Sequence, residues 1–245
     1  MTRLDLLLVN KGLVSTRTRA EQVIAQYGVL VDGKLITKAG KKFDDTVEIH
    51  LISEEIPWVS KGAIKLLAAI EKWSLSAAQE TCLDIGASTG GFTEVLLHLG
   101  AKKVYAVDVG QHQLHSKLRQ DTRIINLEKT HVRELTKNLV SDAVDFLVVD
   151  VSFISLAKVL PFLHPFLKNG AKVVLLIKPQ FEVGKENLNK NGIVVNKLLY
   201  PEIIEKIKAS ARQNQLEFVD IIDSPILGGD GNREFLAYFC KSDEH

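Results

Sequence analysis

The 245 residues are 46% hydrophobic and 25% charged, with a formal net charge of +1, which fits one large globular domain or a small one beside a medium one. The near-neutral balance excludes a bulk-charge case for nucleic-acid binding, and two distant cysteines, Cys82 and Cys240, make neither a disulfide framework nor a zinc site, so no metal is expected. No apolar run reaches the ~20 residues of a membrane span and the start lacks the apolar core of a secretion signal, so the cytoplasm is the expected location.

In chain order, the pattern predicts helices from Arg3 to Asn10 and from Arg17 to Gln26. GVLVDGKLI then reads as strand, turn and strand, with Asp32-Gly33 as the hairpin signal, and TVEIHLI adds a third strand. These elements make a small α+β module over residues 1–52, and LISEEIPWVS, with Pro57, supplies a linker over 53–60. Strands and helices alternate over 61–245. The expected strands are TCLDI, KVYAVD, RIINL, DFLVVD, AKVVLLIK, LEFVDII and EFLAYFC. The expected helices are AIKLLAAIEKW, GFTEVLLHLG, QLHSKLRQ, VRELTKNLV, SLAKVLPFLHPFL and PEIIEKIKASARQNQ. Such alternation over short links predicts an α/β fold with a mostly parallel sheet covered on both faces. The pattern leaves the strand order open.

CLDIGASTGGF, residues 82–92, runs from a strand through a glycine-rich turn into a helix. It lacks the Gly-Lys-Ser/Thr ending of a P-loop, and its glycines, Gly86, Gly90 and Gly91, miss the dinucleotide spacing. Asp84 would also repel a phosphate, which disfavours a nicotinamide oxidoreductase. S-adenosylmethionine fits better, since it carries an ammonium and a sulfonium and no phosphate. Asp108 ends the next strand, where an acid hydrogen-bonds ribose hydroxyls. The plainer reading is a structural glycine turn.

Asp150 ends FLVVD and Lys178 ends KVVLLIK. If those strands are neighbours, Asp150 orients Lys178, and a lysine so held can take a proton from a hydroxyl. The alternative is a structural salt bridge. EVGKENLNKNG and LGGDGNRE, on the carboxyl side of strands, are two loops that could fold over a substrate, with Glu234 after the second. In the N-terminal module, Arg3, Arg17, Arg19, Lys34, Lys38, Lys41 and Lys42 are candidate contacts to RNA phosphates, set against a plain solvated face.

The chain resembles, nearly end to end, the TlyA family of ribosomal RNA 2′-O-methyltransferases, also labelled haemolysin A. RLDLLLVNKGL…TRTRAEQVI…GVLVDGKLITKAG resembles an S-four-type RNA-binding domain. LDIGASTGGFT, VYAVDVG, KLRQD, DVSFISL, IKPQFE and PILGGDGNREF resemble an FtsJ-type methyltransferase. The resemblance implies a Rossmann-like seven-stranded methyltransferase sheet whose last strand is antiparallel. It implies a catalytic set of Lys65 (in VSKGAIKL), Asp150, Lys178 and Glu234. It implies S-adenosyl-L-methionine bound by Asp84, Gly86, Ser88, Gly90, Gly91, Phe92 and Asp108, with Glu128 of LEKTH near the adenine. Lys61-Gly62-Ala63 stands where many members have Arg-Gly-Gly, and His131 where asparagine is common.

The expected activity is 2′-O-methylation of ribosomal RNA, free or in ribosomal subunits. Lys178 would serve as base or stabilise the alkoxide, with Asp150 orienting it, Lys65 adding positive field and Glu234 placing the lysines. A non-catalytic RNA-binding or ribosome-assembly factor is the alternative that the intact four-residue set disfavours. A membrane-active haemolysin is disfavoured by the lack of a spanning or strongly amphipathic basic segment, so no stable membrane association is expected.

Overall fold

The computed structural model describes residues 1–14, 16–26, 28–51, 58–229 and 231–242. The chain divides into two units, Met1–Lys61 and Gly62–His245. The linker expected over 53–60 falls mostly outside the described residues.

In the first unit, strand β1 (Thr2–Arg3) leads into helix α1 (Leu4–Asn10), and α2 (Arg17–Gln26) follows. Leu4, Leu7 and Leu8 of α1 and Ala20, Val23 and Ile24 of α2 are buried together, since three- and four-residue spacings put them on one face of each helix. They close over Val29, Val31 and Ile49 of an antiparallel sheet. That sheet runs β3 (Lys34–Ile36), β2 (Val29–Val31), β5 (Ile49–Leu51). Asp32 and Gly33 both have positive φ (48° and 73°), as the hairpin turn requires. The two-residue strands β1 and β4 (Lys42–Phe43) pair outside that sheet and were too short to read from alternation.

The second unit is a seven-stranded sheet ordered β11-β12-β10-β9-β6-β7-β8. Its strands are β6 (Thr81–Ile85), β7 (Lys103–Val107), β8 (Ile124–Leu127), β9 (Val144–Val149), β10 (Leu167–Ile177), β11 (Leu216–Asp223) and β12 (Phe235–Lys241). β12 alone runs opposite to the other six strands. The central strands read as unbroken apolar runs because helices or turns cover both faces. Helices α3 (Gly62–Trp73) and α4 (Gly91–His98) lie against each other. Helix α6 (Tyr200–Gln213) carries Pro201 in its first turn and buries Ile203, Ile207 and Ala211 at four-residue spacing.

Three expected helices are shorter than the pattern suggested. QLHSKLRQ keeps one turn, α5 (Ser116–Arg119). VRELTKNLV forms only a 3₁₀ turn, Val132–Glu134, closed by a reciprocal cap between His131 and Glu134, after which Leu135 turns extended. SLAKVLPFLHPFL becomes three successive 3₁₀ turns, because Pro161 and Pro165 have no N–H for a continuous α-helical ladder.

Candidate active site

The strand register sets the polar strand ends in one row along the carboxyl edge of the sheet. Phe235 of β12 faces Ile177 of β10, so Glu234 and Lys178 end neighbouring strands. Val149 of β9 faces Leu175 of β10 and Ile85 of β6, so Asp150 stands between Lys178 and Gly86. Ile85 faces Val107, and Val107 faces Leu127, which puts Asp108 and then Glu128 next. Ligands of open α/β sheets bind along this edge.

Asp150 and Lys178 meet. Lys178 Nζ lies 2.6 Å from Asp150 Oδ1 and donates to Ser152 Oγ at 2.8 Å. Lys65 of α3 donates to Glu234 Oε2 at 2.6 Å, and both side chains are nearly buried, at 11% and 2% exposure. Asn232, also buried, ties the two flanking loops together: its amide donates to the Gly192 carbonyl and its carbonyl accepts from Val194 N.

A cleft of about 340 Å³ opens beside this row. Its walls are mostly apolar (Ile85, Val107, Val132, Val151, Ile154), with Gly86, Ser88, Asp108 and Asp150 among the remainder. Among the described residues, two carboxylates and no lysine or arginine line it. That donor set suits an uncharged or cationic ligand and opposes a pyrophosphate. An adenosine with a sulfonium and an ammonium fits both the volume and the sign of the charge.

Each residue singled out around the glycine turn has a definite place. Asp108 accepts from Ser88 N at 2.8 Å and Gly110 N at 2.7 Å, stapling two turns at the cleft. Gly86 has φ +86°, and a Cβ there would stand 2.2 Å from the Asp150 carbonyl oxygen. Its lack of a side chain therefore first serves the junction of β6 with β9. Gly90 plays a similar part against Leu114 and Leu118. Gly90, Gly91 and Phe92 are not among the cleft-lining residues.

Asp84 does not reach the cleft surface either. It is fully buried beneath the turn, with Oδ2 accepting from Thr93 Oγ1 at 2.7 Å and Oδ1 lacking a hydrogen-bond partner among the described residues. Burial pushes its carboxyl up to about 7, against the opposing Thr93 hydrogen bond and with added repulsion from Asp150. Glu128 is likewise turned to the backbone, accepting from His112 N and Leu114 N at 2.8 and 2.9 Å. Burial raises its pKa, but those amides together with Arg119 and Asn126 outweigh it and hold the group below the ordinary carboxylate value. His131 lines the cleft instead, with Nδ1 accepting from Arg133 N.

Sequence reasoning did not single out Ser152 or Phe153. Phe153 is 91% exposed, has φ +65° and packs its ring 5.1 Å from that of Phe181. An aromatic side chain held outward on a strained backbone at a cleft is a feature of functional loops. Glu182 fixes this loop by accepting from Ser155 Oγ and Leu156 N, and burial raises its pKa. Ser88, His112 and Lys129 also have positive φ, so much of the backbone strain in this unit gathers near the cleft.

Residues 58–241 match the family model of FtsJ-like methyltransferases, and residues 2–49 match the S4 domain. The 16S/23S rRNA (cytidine-2′-O)-methyltransferase TlyA of Mycobacterium tuberculosis is 40% identical over 96% of this chain and 88% of its own length. The chain belongs to the TlyA family. A solved structure of a Streptococcus thermophilus protein, described as a candidate hemolysin, is 41% identical, covers 99% of this chain and 89% of its own, and superposes with a TM-score of 0.76. Aeropyrum pernix fibrillarin with bound S-adenosyl-L-methionine, 17% identical over 72% of this chain and 75% of its own, agrees in fold alone, with a TM-score of 0.50. The TlyA-family chain is thus a methyltransferase by family and fold, with an N-terminal S4 domain.

In the first unit, Arg3 and Arg17 share the buried carboxylate of Asp5. Arg3 faces Lys42 across β1 and β4, and Lys34, Lys38, Lys41 and Lys42 are exposed. The side chain of Arg19 lies outside the described part of the structure. No helix among the described residues is long and apolar enough to cross a membrane.

Proposed function

We propose that this protein transfers a methyl group from S-adenosylmethionine to a ribose 2′-hydroxyl of ribosomal RNA. The observation that carries the reading is the Asp150–Lys178 pair, 2.6 Å apart, at the rim of a cleft lined, among the described residues, by carboxylates and no lysine or arginine. The 2′-O specificity of the Mycobacterium tuberculosis relative supports the choice of acceptor. When bound, the cofactor supplies an electrophilic methyl carbon that needs no further activation.

The protein's own work is alignment and proton handling. Asp108, with Ser88 and Gly86, holds the nucleoside part, and Asp84 braces the turn from beneath through Thr93. Asp150 and Ser152 fix the Lys178 amine, which meets the hydroxyl and takes its proton as the oxygen becomes nucleophilic. Lys65 and Glu234 complete the neighbouring strand end and keep a second amine in the field of the reacting oxygen. Phe153 offers a flat apolar face on which an unstacked base can rest. The S4 domain docks the RNA through phosphates, with Arg3, Arg17, Arg19, Lys34, Lys38, Lys41 and Lys42 as its contacts.

The test is tritium transfer from labelled cofactor to ribosomal RNA or isolated subunits, with the product mapped for 2′-O-methyl ribose. Lys178→Ala lowers transfer by at least about 100-fold, the lower range for a positioned proton-transfer group, while calorimetry shows cofactor still bound. Retained turnover removes Lys178 from the role.

A further inference from the structure

Asp5 is an acid on a helix face that otherwise buries leucines. Leu4, Leu7 and Leu8 of α1 enter the core of the first unit, and Asp5 is fully buried beside them. Its carboxylate accepts from Arg3 Nε at 3.0 Å and Arg3 Nη2 at 2.7 Å, from Arg17 Nε at 3.0 Å and from Leu6 N at 2.9 Å. The arginines come from separate elements, one from β1 and one from the first turn of α2, and their side chains stay 39% and 52% exposed. A buried ionic cluster of this kind is rarely needed for stability, since apolar residues of similar volume commonly serve as well. What Asp5 does that an apolar residue cannot do is hold two guanidinium groups still.

The geometry leaves the business ends of both arginines outward. Asp5 takes the Nε side of each guanidinium. Among the described residues, Arg17 Nη1 and Nη2 and Arg3 Nη1 have no hydrogen-bond partner, and Glu21 Oε1 lies 3.3 Å from Arg17 Nε. Arg3 and Arg17 are balanced by Asp5 and Glu21, and Lys42, directly across the strand pair from Arg3, supplies the surplus positive charge. Planar N–H edges fixed side by side match the oxygens of a phosphate. A free arginine loses rotamer freedom when it grips a phosphate, and one already held by Asp5 loses less.

We propose that Asp5 is a positioning residue that presets Arg3 and Arg17 as one phosphate-binding fork for RNA on the N-terminal unit. The proposal rests on the reading that this unit docks RNA.

The experiment exploits a sign. Asp5→Asn removes a negative charge, so simple electrostatics makes the full-length protein bind RNA more tightly. Positioning predicts the reverse: affinity for purified ribosomal RNA, titrated at several salt concentrations, falls by about 10-fold, the scale for ordering two rotamer-rich side chains on binding. The second variant, Arg17→Lys, keeps the charge and loses the fork, and it loses nearly as much affinity as Arg17→Ala. Arg17→Lys also leaves Asp5 paired with a cation, so it reports even if Asp5→Asn folds poorly. Cofactor affinity is unchanged in all of them. An Asp5→Asn protein with wild-type unfolding that binds RNA as tightly as wild type overturns the proposal, as does Arg17→Lys binding like wild type. Wild-type protein that fails to bind ribosomal RNA at all removes the docking reading itself, and the fork with it.

Discussion

Replacing Gly86 by alanine tests the junction on which the site is built. The residue has φ +86°, and an alanine Cβ would stand 2.2 Å from the carbonyl oxygen and 2.8 Å from the carbonyl carbon of Asp150. The backbone conformation alone costs an L-residue about 1–2 kcal/mol. The overlap is with backbone, which cannot rotate aside as a side chain can, and forcing atoms into a filled space typically costs about 1–3 kcal/mol more. The sum is about 2–5 kcal/mol, which at ~2–4 °C per kcal/mol lowers the thermal midpoint by roughly 4–20 °C. Gly170→Ala is the control: it has φ +72° with no atom within 4 Å of the added Cβ, so it carries only the conformational cost. Circular-dichroism melts give the stabilities, and calorimetric titration with S-adenosylhomocysteine gives the effect on the cleft. If Gly86→Ala costs no more than Gly170→Ala and binds the cofactor product normally, β6 and β9 are not locked together as argued.

Asp84 makes stability depend on pH. Burial raises its carboxyl to about 7, so the folded protein holds that proton more tightly than the unfolded chain does. Its contribution is complete below about pH 4 and is lost as pH rises through about 7. Asp84→Asn has no proton to lose, and its unfolding midpoint falls less between those limits than the wild type's; equal falls contradict the assignment. Phe153→Gly relieves a positive φ worth about 1 kcal/mol and gives up the ring contact with Phe181, so the melting temperature stays near wild type while the KM for RNA rises about tenfold, the scale of one lost base stack. A wild-type KM rules out a stacking role. Glu234→Gln leaves the Lys65 ammonium buried without its counter-charge and costs about 3–5 kcal/mol in urea unfolding, whereas Lys65→Met with Glu234→Leu recovers most of that loss without recovering methyl transfer. A single variant as stable as wild type refutes the buried pair.

Much of the fold was legible because its signals are local. Val-, Ile- and Leu-rich runs marked the central strands, and Asp32-Gly33 marked the hairpin. The helix over SLAKVLPFLHPFL was misread because apolar spacing outvoted Pro161 and Pro165, whose missing N–H groups decide the matter locally. The polar strand ends of the candidate site could be read one at a time, as Asp108, Asp150 and Lys178, whereas Asp84 lies beneath the cleft. The strand register that sets Glu234, Lys178, Asp150, Gly86 and Asp108 in a row is a long-range property that no local pattern carries. Which way a carboxylate points is equally hidden: Asp84 and Glu128 turn into the protein, while His131, noted only as an unusual residue, faces the cleft. Phe153 had no signal, because exposure and strain are not written in residue type.

Asp150 N donates to the Ile85 carbonyl at 2.9 Å, and the Asp150 carbonyl covers Gly86. The strand end that carries the partner of Lys178 and the glycine turn at the cleft are therefore joined at one peptide. A shift of either therefore moves the other, and on the proposed reading a substitution at one changes the geometry of both.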